Sequence, residues 1–92
     1  MNRNRAEVVG LQALAHMAAH DDLIGAFLGA TGASLSDLRE RATDPAFLGA
    51  VLEFLLQDDR WVLGFAEAAG LAPTEPAEAR AALPGGQSWH WT

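Results

Sequence analysis

DPAFLGAVLEFLLQ, residues 44–57, is an apolar run in which Glu53 is the one charge between the first and last residues. Phe47, Leu48, Val51, Leu52, Leu55 and Leu56 recur at steps of three and four, the repeat of an α-helix, and Phe54 fills much of the remaining circumference. A helix that is apolar on nearly every side has to be covered on nearly every side. In a chain of 92 residues that cover comes from short helices wrapped around it. Asp44 is placed to cap the run, and Pro45 sits at the first helical position, where its missing N–H costs nothing.

Upstream, Ser34-Leu35-Ser36-Asp37 reads as the start of a short helix. Serine followed three residues later by a carboxylate is the capping-box spacing. Leu35 and Leu38 are expected to point inward, with Arg39, Glu40 and Arg41 facing water. Before it, Asp21-Asp22 is expected to cap and start a helix carrying Ile24, Phe27, Leu28 and Thr31 on one face. Gly32 supplies the left-handed stop. The first helix is expected over residues 7–19, with Val8, Leu11, Leu14, Ala15 and Ala18 inward and Met17 at the border. Downstream, Asp58-Asp59 starts a helix with Trp61, Val62, Phe65, Ala66 and Ala69 inside and Gly70 at its end. Thr74-Glu75-Pro76 opens a last short helix that runs to about Leu83, and Pro84-Gly85-Gly86 stops it. Gly25, Gly29, Gly49 and Gly64 fall inside these helices and read as places where helices cross closely, at some cost in helix propensity.

Laid on itself at an offset of 38 residues, the chain pairs Leu14 with Leu52, Asp21 with Asp59, Phe27 with Phe65, Gly32 with Gly70 and Glu40 with Glu78. The pairs include the carboxylate corner, the core aromatic and the glycine stop. Two pseudo-repeated halves follow, residues 7–43 and 44–84, between a flexible tip at 1–6 and a Gly-Gly plus aromatic tail at 85–92. A helical solenoid needs about three or more repeats to be stable. The expected architecture is therefore all-α, a compact bundle of about six short helices around the central apolar one.

Twelve carboxylates against six arginines give a net charge of −6, with no lysine. Such a chain repels nucleic acid on average, and neither Arg3/Arg5 nor Arg39/Arg41 is interleaved with aromatic residues, so direct nucleic-acid binding is not expected. Absence of cysteine excludes disulfides and thiolate chemistry, and a small domain without such staples points to a reducing cytoplasm. The basic and partly apolar start is broken by Glu7, Gln12, His16 and His20 too early for a signal peptide, and nothing approaches a membrane span.

The run LGAVLEFLLQDDRWVLGFAEAAGL and its upstream echo LIGAFLGATGASLSDLRERATDPAFL resemble a family of small bacterial proteins catalogued as domain of unknown function 3572. The likeness spans about Leu11 to Leu83 and lies in the DPAFL start, the FLLQDD corner and the Phe65-to-Gly70-Leu71 stop. It implies a compact helical cytoplasmic protein, and it brings no activity, cofactor or catalytic residue.

His16 and His20 stand one helical turn apart beside Asp21, the spacing at which two imidazoles and a carboxylate share a metal. Histidines near a helix C-terminus equally suit the helix dipole, so these three are weak metal candidates and no cofactor is expected. The paired aspartates at both corners are explained by capping. No nucleophile–histidine–acid set or phosphate loop is present, so no catalytic residue is assigned. Phe54 and Trp61 are expected to spill outward beside the carboxylate corner. Trp89, His90 and Trp91 form an aromatic end that either folds back onto a groove of its own bundle or meets another protein. The expected function is a non-enzymatic protein–protein interaction module, acting on an unidentified partner or a second copy. The alternative is a small ligand- or metal-binding protein using His16, His20 and Asp21.

Overall fold

The structure is a computed structural model that describes residues 1–84. Six helices follow in order: α1 (Arg3–Ala18), α2 (Asp21–Thr31), α3 (Leu35–Arg41), α4 (Pro45–Leu55), α5 (Asp59–Ala69) and α6 (Glu75–Ala82). No strand occurs among the described residues. The chain forms the all-α bundle expected. α6 packs along α1, α4 lies against both, α2 packs on α1, and α5 touches all three of α1, α4 and α6.

α4 is the enclosed element. Phe47, Leu48, Gly49, Ala50, Val51, Leu52, Phe54 and Leu55 are all buried, leaving Glu53 among the few positions that reach water. The Asp44 side chain accepts from the Ala46 N–H at 3.0 Å and holds the start of the helix. Phe27 of α2 is fully buried and meets Phe47 and Phe54 edge-on, with ring centroids 6.0 and 5.4 Å away. Edge-to-face contacts of this kind add to the burial of the rings themselves.

Local signals fix most helix ends. The capping box of α3 closes as the spacing predicts: Asp37 N–H donates to Ser34 Oγ, and Ser34 N–H donates back to the Asp37 carboxylate. The Ser34 N–H foremost, and the Ser34 hydroxyl after it, hold the Asp37 carboxyl below the usual carboxylate range. Asp58 caps α5 by accepting from Arg60 N–H at 2.8 Å. Gly32 and Gly70 both take positive φ, at 75° and 71°, and stop α2 and α5 in the left-handed conformation that costs glycine little.

Several expectations are corrected. α1 begins at Arg3 rather than Glu7, because Asn2 caps it through the Arg5 N–H and Arg5 reaches Glu75 on α6 at 3.7 Å. Part of the expected tip is thus helical, with Ala6 fully buried. The inward face of α1 is Ala6, Val9, Gly10, Ala13, Leu14 and Met17, whereas Val8, Leu11, Ala15 and Ala18 face outward. Small residues win that face because α4 and α6 approach α1 closely. A Cβ on Gly10 would stand 2.8 Å from Leu48 Cβ. Leu35, expected inside, is 61% exposed at the first position of α3, and only Leu38 is buried there. His20, not Asp21, occupies the cap position of α2 and makes no side-chain cap bond, while Asp21 and Asp22 lie in the first turn.

Among the interior glycines, Gly49 does sit at a close crossing, with Pro84 O 2.9 Å from where its Cβ would be. Gly25, Gly29 and Gly64 instead face open space. α2 and α5 begin and end 38 residues apart, but the packing of the two halves differs. α6 lies against both α1 and α4, and α3 makes no comparable contact with either.

Candidate functional site

α1 is apolar on two faces, and only one of them is used by the core. The second, carrying Val8 and Leu11, is left at the surface with the two residues 49% and 48% exposed. They are one helical turn apart and therefore neighbours. Beside them the α3–α4 connection brings up Ala42 and Thr43, and Leu48 of α4 forms the floor. Asn4 and Glu7 complete the polar rim of this groove, whose volume is about 250 Å³. The Glu7 carboxylate is paired with Arg3 at 3.4 Å, an exposed i,i+4 contact of small energetic weight. An apolar floor with a polar edge excludes water from side chains laid on it and orients them by hydrogen bonds at the rim.

The sequence points to Val8 and Leu11 as core, so the groove is missed by periodicity alone. The available signal is a conflict. Ala6, Val9, Gly10, Ala13 and Met17 form a second set at helical spacing, and the small residues among them allow closer helix approach than Val8 and Leu11 would.

Phe54, expected to spill outward, is buried at 7% exposure and stacks on the half-buried Trp61 at 5.1 Å, so its ring offers little surface to a partner. Trp61 itself lines a hollow of about 500 Å³ with Ala19, His20, Asp21, Asp22 and Leu23, where α2 and α5 both begin. Trp89, His90 and Trp91 lie outside the described residues.

His16 and His20 have ring centroids 4.3 Å apart, yet they turn to different surroundings. His16 packs on Phe65 at 5.5 Å and lines a separate hollow of about 340 Å³ with Gln12, Ala15, Ala68 and Ala69. His20 folds back so that Nδ1 donates to the His16 carbonyl at 2.7 Å, which occupies one ring nitrogen. Partial burial, with the charge of His20 second, pushes the His16 imidazole below its ordinary pKa. His16, His20 and Asp21 are not gathered into a three-ligand group. No cluster of three or more such side chains suited to a metal exists among the described residues.

At the Asp58 corner, Arg60 donates through Nε at 3.3 Å and through a terminal nitrogen at 3.0 Å. These bonds, with the Arg60 N–H, hold the Asp58 carboxyl below the usual carboxylate range and the Arg60 guanidinium above its own. A carboxylate already committed to a cap and an arginine is a structural one. No described helix is long and apolar enough to cross a membrane.

No curated protein and no solved structure matches the chain. One family model, described as a protein of unknown function (DUF3572), matches residues 3–86, which take in all six helices. The chain belongs to the DUF3572 family.

Proposed function

We propose that the chain is a non-enzymatic protein–protein interaction module whose contact surface is the groove of Val8, Leu11, Ala42 and Leu48. The observation that carries this is the pair of large aliphatic side chains, Val8 and Leu11, half exposed side by side on a rigid helix over a third, Leu48. Paired exposure over an apolar floor is the mark of a contact surface, whereas single exposed leucines such as Leu35 and Leu63 are ordinary. A reaction centre finds less support. No polar or charged residue is buried as a whole among the described residues, where only single side-chain atoms such as Gln12 Oε1 and Arg80 Nε are shut off from solvent, and the two imidazoles line different hollows. The small-ligand alternative needs those groups to converge.

The test is affinity purification of the full chain from extracts of its source cells beside the variant Leu11→Glu, with melting curves of both. The expected result is a protein retained by the wild type and lost by the variant at an unchanged melting temperature. Light scattering on the isolated chain checks whether a second copy is that partner. A monomer that retains nothing, or a variant that retains the same protein as the wild type, overturns the proposal.

A further inference from the structure

We infer that the groove is covered by a second copy of this chain, whose α1 lies antiparallel on α1 with Val8 against the partner's Ala18 and Leu11 against the partner's Ala15. This rests on the groove being a contact surface and names what covers it. Asn4, Val8, Leu11, Ala15 and Ala18 are all exposed, at alternating steps of four and three. That is the heptad spacing of a seam that packs on another helix, and it lies outside the face of α1 that meets α4 and α6. The strip is about 21 Å long. None of its five residues is charged, and its two halves differ in size. Val8 and Leu11, 49% and 48% exposed, fill the half beside the groove, and the exposed Ala15 and Ala18 fill the other. A second strip turned end for end sets each large side chain on a small one, in the layers of an antiparallel helix pair. A parallel pair would meet at its bulky half and gape at its small one.

The charges select the same direction. Eleven of the twelve carboxylates lie beyond residue 20, and α1 is the one helix with a positive balance, Arg3 and Arg5 against Glu7. Two acidic molecules therefore meet with least repulsion along α1. Arg3 and Arg5 stand in the first turn of α1, where the positive end of their own helix disfavours them. In the reversed register Arg5 comes level with the partner's Asp21, just past the negative end of the partner's α1. Asp21 and Asp22 are exposed, and no salt bridge engages either among the described residues. With Trp61 they border the hollow of about 500 Å³, which has room for a guanidinium and an indole for it to pack on. Within the chain Arg3 and Arg5 make only exposed pairs, with Glu7 at 3.4 Å and Glu75 at 3.7 Å, so either can turn to the partner at small cost. A strip that is basic at one end and acidic beyond the other complements itself only when turned end for end, the two-fold contact that closes at a dimer.

Light scattering on the full chain over a wide concentration range reads the pairing. The expected mass moves from one chain toward two as concentration rises. Leu11→Glu should weaken the pairing roughly a hundredfold, since its carboxylate would be pressed against the partner's Ala15. The register is read with Val8→Cys and Ala18→Cys, each the only thiol in its chain. An equimolar mixture of the two, gently oxidised, should give mainly the mixed disulfide, identified by its mass. Residue 8 of one copy faces residue 18 of the other and lies about 15 Å along the axis from its own counterpart, too far to bridge. Both substitutions are at exposed positions, so the cross-link decides even where Leu11→Glu fails to fold. A chain that stays monomeric at every concentration, a dimer that a folded Leu11→Glu leaves intact, or Val8→Cys linking to itself as readily as to Ala18→Cys overturns the inference. A monomer that captures another protein through Leu11 overturns it while leaving the proposed function standing. A dimer with the mixed link, whose Leu11→Glu variant falls apart yet captures the same protein as the wild type, does the reverse.

Discussion

His16 lies where α1 ends, against Phe65 of α5, and burial with the nearby His20 disfavours its charged form. Its folded pKa is therefore below the unfolded value of about 6.5. As pH falls through that range the unfolded chain takes up the proton first, so the contribution of His16 to stability is present above about pH 6.5 and declines below it. Melting temperature should drop between pH 7.5 and 5.5 by more in the wild type than in His16→Gln, a comparison in which the overall charge of the chain largely cancels. Equal drops would show that the imidazole is not responsible. The glycines give predictions of opposite sign. Gly25→Ala and Gly64→Ala, where nothing lies within 4 Å, should stabilise by roughly 0.5–1 kcal/mol through helix propensity and chain entropy. Gly49→Ala and Gly10→Ala press a Cβ onto Pro84 O and Leu48 Cβ and should destabilise by about 1–3 kcal/mol. Urea midpoints of the four variants check this. Sequence shows only that glycine costs a helix something; which glycine is repaid by a close neighbour depends on residues far away in the chain.

The elements were legible wherever a signal is local. Asp44-Pro45, Ser34 with Asp37, Asp58, Gly32 and Gly70 mark ends of α2, α3, α4 and α5 through side-chain caps or a left-handed glycine, and those ends lie close to where the chain chemistry puts them. Asp44→Ala should accordingly cost about 1 kcal/mol, read from the shift in thermal or urea midpoint, as expected for removing a side-chain cap. α1 shows where legibility ends. Two apolar faces compete on it, and the choice between them is made by α4 and α6, whose close approach favours Ala6, Gly10 and Ala13 over Val8 and Leu11. The groove needs Ala42 and Leu48 beside that discarded face, so no pattern within α1 announces it. Phe27 joins α2 to α4 through two edge-on ring contacts. Phe27→Ala should cost about 3–5 kcal/mol and uncouple α2 from the bundle, seen as loss of the near-ultraviolet aromatic signal with most helical signal retained. Full retention of that aromatic signal would place the ring outside the core.

At the scale of the whole molecule, α4 is surrounded by α1, α5 and α6, with α2 closing on it through Phe27, and all the large side chains fully buried belong to α4 or to its neighbours. A chain this short buries about 60–65% of its unfolded surface, so one enclosed helix carries much of the stability and peripheral elements contribute less. α3 is the opposite case, with seven residues, one of them buried. The groove is a consequence of the same arrangement: α1 spends its small-residue face on α4 and α6 and shows its larger aliphatic face to the surroundings. Native-state hydrogen exchange on the full chain tests this division most directly. The amides of Val51, Leu52, Phe54 and Leu55 should exchange only with global unfolding, at a free energy equal to that from urea melts, while amides late in α3 exchange by local opening well below it. α4 amides that exchange as readily as those of α3 would contradict an enclosed central helix and, with it, the origin proposed for the groove.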